Sequence, residues 1–432
     1  MKVSIKNWKN RIMSAEFFLL GILSFSLISR YIFLYALEMP MMLPEIFWLL
    51  FLLLNIRIYV KDFSIIKNKK FLISCAFLLV LFLFSVFRGG SAYSTLSYVQ
   101  SLFEFMFFAV IFMDYEKIDV DKMWWLTFGA ICGDLIYMMF LSVENYANVN
   151  HIAWVVCCVS SFLVKGKYKI VLSYIIAFVA AIFSGYRINI ILILVSLLVC
   201  VLWMILKKRE NSIRALLVRL GLFVMLVCGT VFLYINLIPI IQKVASVFNF
   251  DANKIFRVVN RLEMFFSGTS GSGTDSHRVE LMSMVFKEFP NTIFPSGLVR
   301  GPVDGNGWYY IDIPLILFYE IFGSVLTWII LIFLIFWSVK LIKDSLRLPD
   351  FDKAYILTAL ALPGLYILLL TNGFFIIANS SAVITGILVG TVLKYARAKS
   401  RIKVINREAS GRNINYERGL ENEKNCSCAD EA

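Results

Sequence analysis

The chain has 432 residues, 60% of them hydrophobic and only 16% charged, too little charge to cover the two or three soluble domains its length would otherwise form. With 23 Gly, 9 Pro and 8 Cys it also falls outside the collagen-like, disordered and disulfide-scaffold classes, which leaves a polytopic, all-α helical membrane protein. The formal charge of +13, from 42 Lys and Arg against 29 Asp and Glu, must be sorted by membrane side before it says anything about partners.

A helix needs about 20 apolar residues to cross a hydrocarbon core ~30 Å thick. Twelve spans are predicted, at 16–36, 41–57, 71–87, 96–113, 123–143, 151–164, 169–185, 188–206, 215–240, 313–339, 354–370 and 374–393. The sixth is short, and only Tyr186 and Arg187 separate the seventh from the eighth. The first follows a basic stretch (Lys2, Lys6, Lys9, Arg11) without a small-residue cleavage site, so a retained anchor is expected.

Every second connection is basic. Arg57, Lys61, Lys67, Lys69 and Lys70 lie in the first of these, Lys117 and Lys122 in the next, then Lys165, Lys167 and Lys169. Lys207, Lys208, Arg209, Arg214 and Arg219 continue the series, followed by Lys340, Lys343, Arg347 and Lys353. The intervening short connections carry only Arg88 and Arg187. This positive-inside pattern places both termini in the cytoplasm and makes most of the net charge topological, so no nucleic-acid partner is expected. The tail from Lys394 opens with six positive charges up to Arg407 and no acid, a stretch suited to anionic membrane lipids. Its Cys426 and Cys428 fit a reduced thiol pair, and no metal site is expected.

The organisation that follows is a nine-span bundle (1–241), one large outer loop (242–312), three further spans (313–393) and a basic, disordered cytoplasmic tail (394–432). The outer loop balances seven basic residues (Lys243, Lys254, Arg257, Arg261, Arg278, Lys287, Arg300) against seven acids (Asp251, Glu263, Asp275, Glu280, Glu288, Asp304, Asp312). Two stretches in it have helical amphipathic spacing, Phe256–Phe266, with Arg257 and Arg261 one turn apart, and Arg278–Phe289. The connector Ser267 to Thr274 between them is rich in Gly and Ser, and a turn-rich run follows from Pro290 to Gly307. Two readings stand together: interfacial helices whose arginines reach headgroups, and a lid over a cavity between spans.

The sequence holds no P-loop, dinucleotide fingerprint, HExxH motif or cluster of metal ligands, so neither cofactor nor metal is expected. What stands out is arginine on the outer side: Arg30 inside the first span toward its outer end, Arg88 and Arg187 beside spans, and Arg257, Arg261, Arg278 and Arg300 in the loop. Guanidinium presents a planar fork of donors that matches phosphate oxygens. A charge that opposes the topological preference at a span end is a functional candidate, with pairing to Glu38, Asp134 or Glu144 as its structural alternative. Asp304, Asp312 and Glu320 are the carboxylates nearest the outer end of the tenth span, and each is a candidate general base. His277 precedes Arg278, and His151 opens the sixth span.

Four features resemble the O-antigen polymerase (Wzy-type) family, within the group that includes O-antigen ligases. They are the twelve-span layout with one large outer loop; Ser184-Gly185-Tyr186-Arg187 opening a span; Ser276-His277-Arg278 leading an amphipathic helix, with Pro295-Ser-Gly297 after it; and Asp312-Ile-Pro-Leu315 with Tyr319-Glu320-Ile321-Phe322-Gly323. The resemblance implies a metal-independent glycosyltransferase of the bacterial inner membrane. It would move a glycan from an undecaprenyl-pyrophosphate donor onto a lipid-linked acceptor repeat unit on the periplasmic side, with a chain-length regulator as a protein partner. It implies Arg187 and Arg278 as pyrophosphate ligands. Arg88, Arg257, Arg261, Arg300, His277 and Glu320 would lie along the substrate path, with Asp304 or Asp312 as base. Trp308 and Tyr309 would stack on sugars or belong to an interfacial aromatic belt.

Ligases of the group carry a His-Asn pair ahead of the following span. This chain has Asp304-Gly305-Asn306-Gly307-Trp308 there, which counts against a ligase. A lipid-linked oligosaccharide flippase or other transporter is the alternative from another class. Repeated halves and helices broken inside the membrane would mark one, and neither is expected from this sequence.

Overall fold

The structure, a computed structural model, describes residues 2–32, 36–38, 67–87, 92–114, 119–141, 149–184, 187–207, 314–347, 353–371 and 381–396, with isolated positions between 221 and 293. The elements are α1 (Lys2–Phe25), α2 (Ile28–Tyr31), α3 (Lys69–Phe87), α4 (Ala92–Asp114) and α5 (Val120–Ile136), the last continued by a π-helical turn at Tyr137–Leu141. They continue with α6 (His151–Leu163), α7 (Lys167–Ser184), α8 (Arg187–Lys207), α9 (Pro314–Arg347), α10 (Lys353–Thr371) and α11 (Ser381–Ala396). Among the described residues every element is helical.

Five segments are long and apolar enough to cross a membrane: Lys69–Phe87, Val120–Leu141, Lys167–Ser184, Ile188–Leu206 and Phe322–Leu346. Their outward faces are apolar too. Ile73, Val80 and Phe87 on α3, and Ile332, Phe333 and Phe336 on α9, are more than half exposed, a distribution suited to acyl chains rather than water. The architecture is that of a helical membrane protein. The expected spans 41–57 and 215–240 and the loop 242–312 lie outside the described residues, apart from the isolated positions.

Contacts between helix ends fix the relative directions. Lys169 at the start of α7 pairs with Asp121 at the start of α5 at 2.5 Å, and stands 4.5 Å from the centre of the Trp124 ring. Lys70 at the start of α3 meets Asp114 at the end of α4 at 2.6 Å. Lys353 at the start of α10 donates to the carbonyl of Leu163 at the end of α6 at 2.7 Å. One end of the bundle therefore collects lysines, each held by an acid or a helix carbonyl.

Two close helix pairs run parallel. A Cβ on Gly129 of α5 would collide with the backbone of Phe18 in α1, and one on Gly133 with Ser26. A Cβ on Gly21 of α1 would strike the backbone of Leu126. Likewise Gly386 and Gly390 of α11 lie against the backbone of Phe105 and Ala109 in α4. Both are glycine pairs four residues apart, the spacing that lets membrane helices approach backbone to backbone. By these contacts the start of α1 and the end of α11 fall at the lysine-bearing end.

At the centre stands α6, in contact with α5, α7, α8 and α10. Ile152, Ala153, Trp154, Val156, Cys157, Cys158 and Val159 have no exposure at all. Its 13 residues span about 20 Å, short of the ~30 Å core. Its start therefore lies inside the bundle.

Two expected spans are broken, against the sequence-based expectation of unbroken helices. The first, predicted at 16–36, ends its helix at Phe25 and resumes as α2 at Ile28. Here the serines compete with the helix backbone: Ser26 Oγ donates to Ile22 O at 2.5 Å and Ser29 Oγ to Ser26 O at 2.8 Å. The tenth, predicted at 313–339, breaks at Gly323, whose φ of 75° and ψ of 163° are accessible to glycine alone. Thr327 Oγ1 donates across this break to the Phe318 carbonyl at 2.8 Å. The long apolar run starts at Phe322 and extends to Leu346, past the expected end.

Candidate functional site

Polar side chains inside an apolar bundle have to find partners or remain unsatisfied. Two groups of those described lie near the end opposite the lysines. Asp134, in the last turn of α5, has no exposure; one carboxylate oxygen accepts from the Leu27 amide and the other from Trp154 Nε1, both at 2.9 Å. Leu27 sits in the α1 break, so the carboxylate takes a backbone donor that the break sets free. Sequence reasoning offers Asp134 as an arginine partner; among the described residues its two oxygens accept from these two N–H groups.

A second cluster joins the start of α6 to the α7–α8 connection. Asn150, His151, Ser184, Asn189 and Ser381 are each at most 5% exposed. His151 Nδ1 lies 2.5 Å from Asn189 Oδ1, and Asn189 Nδ2 donates to Ser184 Oγ at 2.8 Å. Ser184 Oγ donates to the Ala181 carbonyl at 2.8 Å. Because that hydroxyl has one proton, it must accept from Asn189. The amide oxygen then faces His151, so Nδ1 carries the ring proton. Asn150 caps α6, its Oδ1 accepting from the Ala153 amide at 3.1 Å and from Ser381 Oγ at 3.0 Å, while its buried Nδ2 has no partner among the described residues.

Of the residues singled out from sequence, Arg187 opens α8, two residues before Asn189, and so belongs to this junction by its backbone position. Glu320 lies on the short helical piece ahead of the Gly323 break rather than within the long span. Arg88 follows the end of α3 and lies outside the described residues, as do Arg257, Arg261, His277, Arg278, Arg300, Asp304, Trp308, Tyr309 and Asp312.

Sequence reasoning placed His151 only as a residue opening a span, and singled out neither Asn189 nor Ser381. The available signal was the company of Asn148, Asn150 and His151 at the start of an otherwise apolar segment, since intramembrane polar residues are functional candidates by default. Among the described residues no group of three His, Cys, Asp or Glu side chains could hold a metal ion. The site thus belongs to a polytopic helical membrane protein with a buried polar layer near one end of its bundle. No protein-family model matches the chain, and neither a curated protein nor a solved structure matches it.

Proposed function

We propose that this protein is a membrane glycosyltransferase that polymerises undecaprenyl-pyrophosphate-linked repeat units into O-antigen or capsular polysaccharide at the outer face of the bacterial inner membrane. The observation that carries the reading is the position of Arg187. It opens a membrane helix at the end of the bundle away from the lysines, beside a buried polar junction. A cation there suits a lipid pyrophosphate, whose headgroup sits at the interface while its chains lie between apolar helices.

In the proposed reaction the acceptor sugar hydroxyl attacks the anomeric carbon of the donor glycan. A new C–O bond forms as the bond from that carbon to the pyrophosphate oxygen breaks. The hydroxyl proton passes to a carboxylate, Asp304 or Asp312, and undecaprenyl pyrophosphate leaves. Arg187 and Arg278 neutralise the charge that develops on the leaving oxygen. Arg88, Arg257, Arg261, Arg300, His277 and Glu320 guide the lipid-linked substrates, and Trp308 and Tyr309 offer faces for sugar rings.

A second reading, a lipid-linked oligosaccharide flippase, gains from the helix breaks at Leu27 and Gly323, since discontinuous helices are common in transporters. Deleting the gene separates the two. A polymerase mutant keeps surface lipid capped with one repeat unit while lipid-linked units still reach the periplasm. A flippase mutant accumulates those units on the cytoplasmic side and shows none at the surface.

A further inference from the structure

We propose that His151 and Asn189 are positioning residues for Arg187, locking the rotation of α8 about its own axis to the enclosed helix α6; this rests on the reading of Arg187 as a donor ligand. The first turn of a helix has amides without intrahelical partners and is the part that most readily frays or rolls. Arg187 occupies that turn, after a connection of only Gly185 and Tyr186. Asn189 is held from two directions, its oxygen by the His151 ring at 2.5 Å and its nitrogen by Ser184 at 2.8 Å. A side chain bonded through both the oxygen and the nitrogen of its amide has one orientation. It therefore fixes the angular setting of the turn that carries Arg187.

The three groups come from three helix ends. Ser184 closes α7, Asn189 lies in the first turn of α8, and His151 opens α6. Of these, α6 is the reference, because other helices surround it. The bond sequence also has one sense, from His151 Nδ1–H through Asn189 to Ser184 and on to the Ala181 carbonyl. Each successive helix residue is turned about 100° from the last, so a one-residue roll of α8 would carry Arg187 to a different neighbour. Purely structural core packing does not require this arrangement; leucines at both 151 and 189 would fill the space and remove the buried pair altogether.

The test uses the full-length chain in native membranes. Arg187→Cys is labelled in spheroplasts with a charged, membrane-impermeant methanethiosulfonate reagent, and the chain without the new cysteine gives the background. His151→Leu and Asn189→Leu should each change the labelling rate at least fivefold. His151→Asn keeps an N–H donor near the place of Nδ1 and should stay within twofold. On the Arg187 background, extension of lipid-linked repeat units extracted from a strain lacking this chain should show a matching split. His151→Leu lowers kcat at least tenfold with KM within threefold, and His151→Asn recovers at least a third of kcat. Unchanged labelling in both leucine variants overturns the proposal, whatever Arg187→Ala does to extension. So does a His151→Asn chain as impaired as His151→Leu. An Arg187→Ala chain that still extends polymer overturns instead the reading of Arg187 as a donor ligand, a parent chain that extends none overturns the polymerase reading, and in both cases labelling still reports whether the helices are tied.

Discussion

The Asp134 carboxylate accepts the backbone amide of Leu27 at 2.9 Å, although 107 residues separate them in the chain. The bond joins the break in α1 to the last turn of α5, and Trp154 of α6 completes the set from the other side. Asp134→Ala leaves two buried N–H groups without acceptors, at about 1–3 kcal/mol each by general hydrogen-bond energetics and nearer ~0.6–1.7 kcal/mol each in membrane proteins. Stability against SDS in mixed micelles should fall by about 2 kcal/mol for Asp134→Ala and by about 1 kcal/mol for Trp154→Phe. A double-mutant cycle should return a coupling near that of one such bond; additive losses would mean that Trp154 and the carboxylate act independently.

Gly129 and Gly133 let α1 and α5 touch backbone to backbone. Gly129→Leu forces the pair apart and should lower stability by about 1–3 kcal/mol or more, seen as a lower thermal midpoint in detergent and less protein in the membrane. Gly221→Ala is the control, because a Cβ there meets nothing within 4 Å among the described residues, and its midpoint should stay at the parent value.

Gly323→Ala places a side chain at φ 75° and ψ 163°. The strain of about 1–3 kcal/mol is relieved if α9 straightens through the break. Spin labels at positions 318 and 329 should then report a separation near 17 Å, the 1.5 Å rise of a continuous helix over eleven residues, and a narrower distance distribution than the parent chain.

Arg187→Ala and Arg278→Ala should reduce polymer extension at least 100-fold, in line with the loss of about 3 kcal/mol of charge stabilisation at a leaving group. Blotting of membranes should find both proteins at parent levels. Arg187→Lys keeps the charge but not the two-pronged fork, and partial extension is expected.

If arginines alone neutralise the departing pyrophosphate, extension in membranes washed with EDTA should run within twofold of the untreated rate. A rate restored only by adding a divalent cation would transfer that role from the arginines to a metal ion.

Long apolar runs made most of the described helices readable. The segments predicted at 71–87, 96–113, 123–143, 169–185 and 188–206 agree within about four residues with α3, α4, α5 with its π-turn, α7 and α8. Hydropathy does not see hydrogen bonds, so it ran the first span through Ser26 and Leu27, where serine hydroxyls and Asp134 take up backbone groups of the helix ladder. It likewise ran the tenth through Gly323. The glycine pairs at 129 and 133 and at 386 and 390 were visible as a spacing, but only the fold supplies the helices they face. The junction at Arg187 was half legible: Ser184 and Arg187 stand together in sequence, whereas His151 and Ser381 arrive from helix starts whose convergence no local pattern encodes.

The short, enclosed α6 bears on how the protein is made. A 13-residue helix that begins at His151 and is capped by Asn150 is too brief to partition into lipid alone, and both polar groups would face acyl chains there. Its entry into the membrane thus waits on partners: Asp134 from α5, already synthesised, and Asn189 from α8, still to come. Biogenesis then has an order in which the central helix settles after helices on both sides of it in the chain. Truncation after α6 should leave that segment outside the bilayer, and extension through α8 should bring it in.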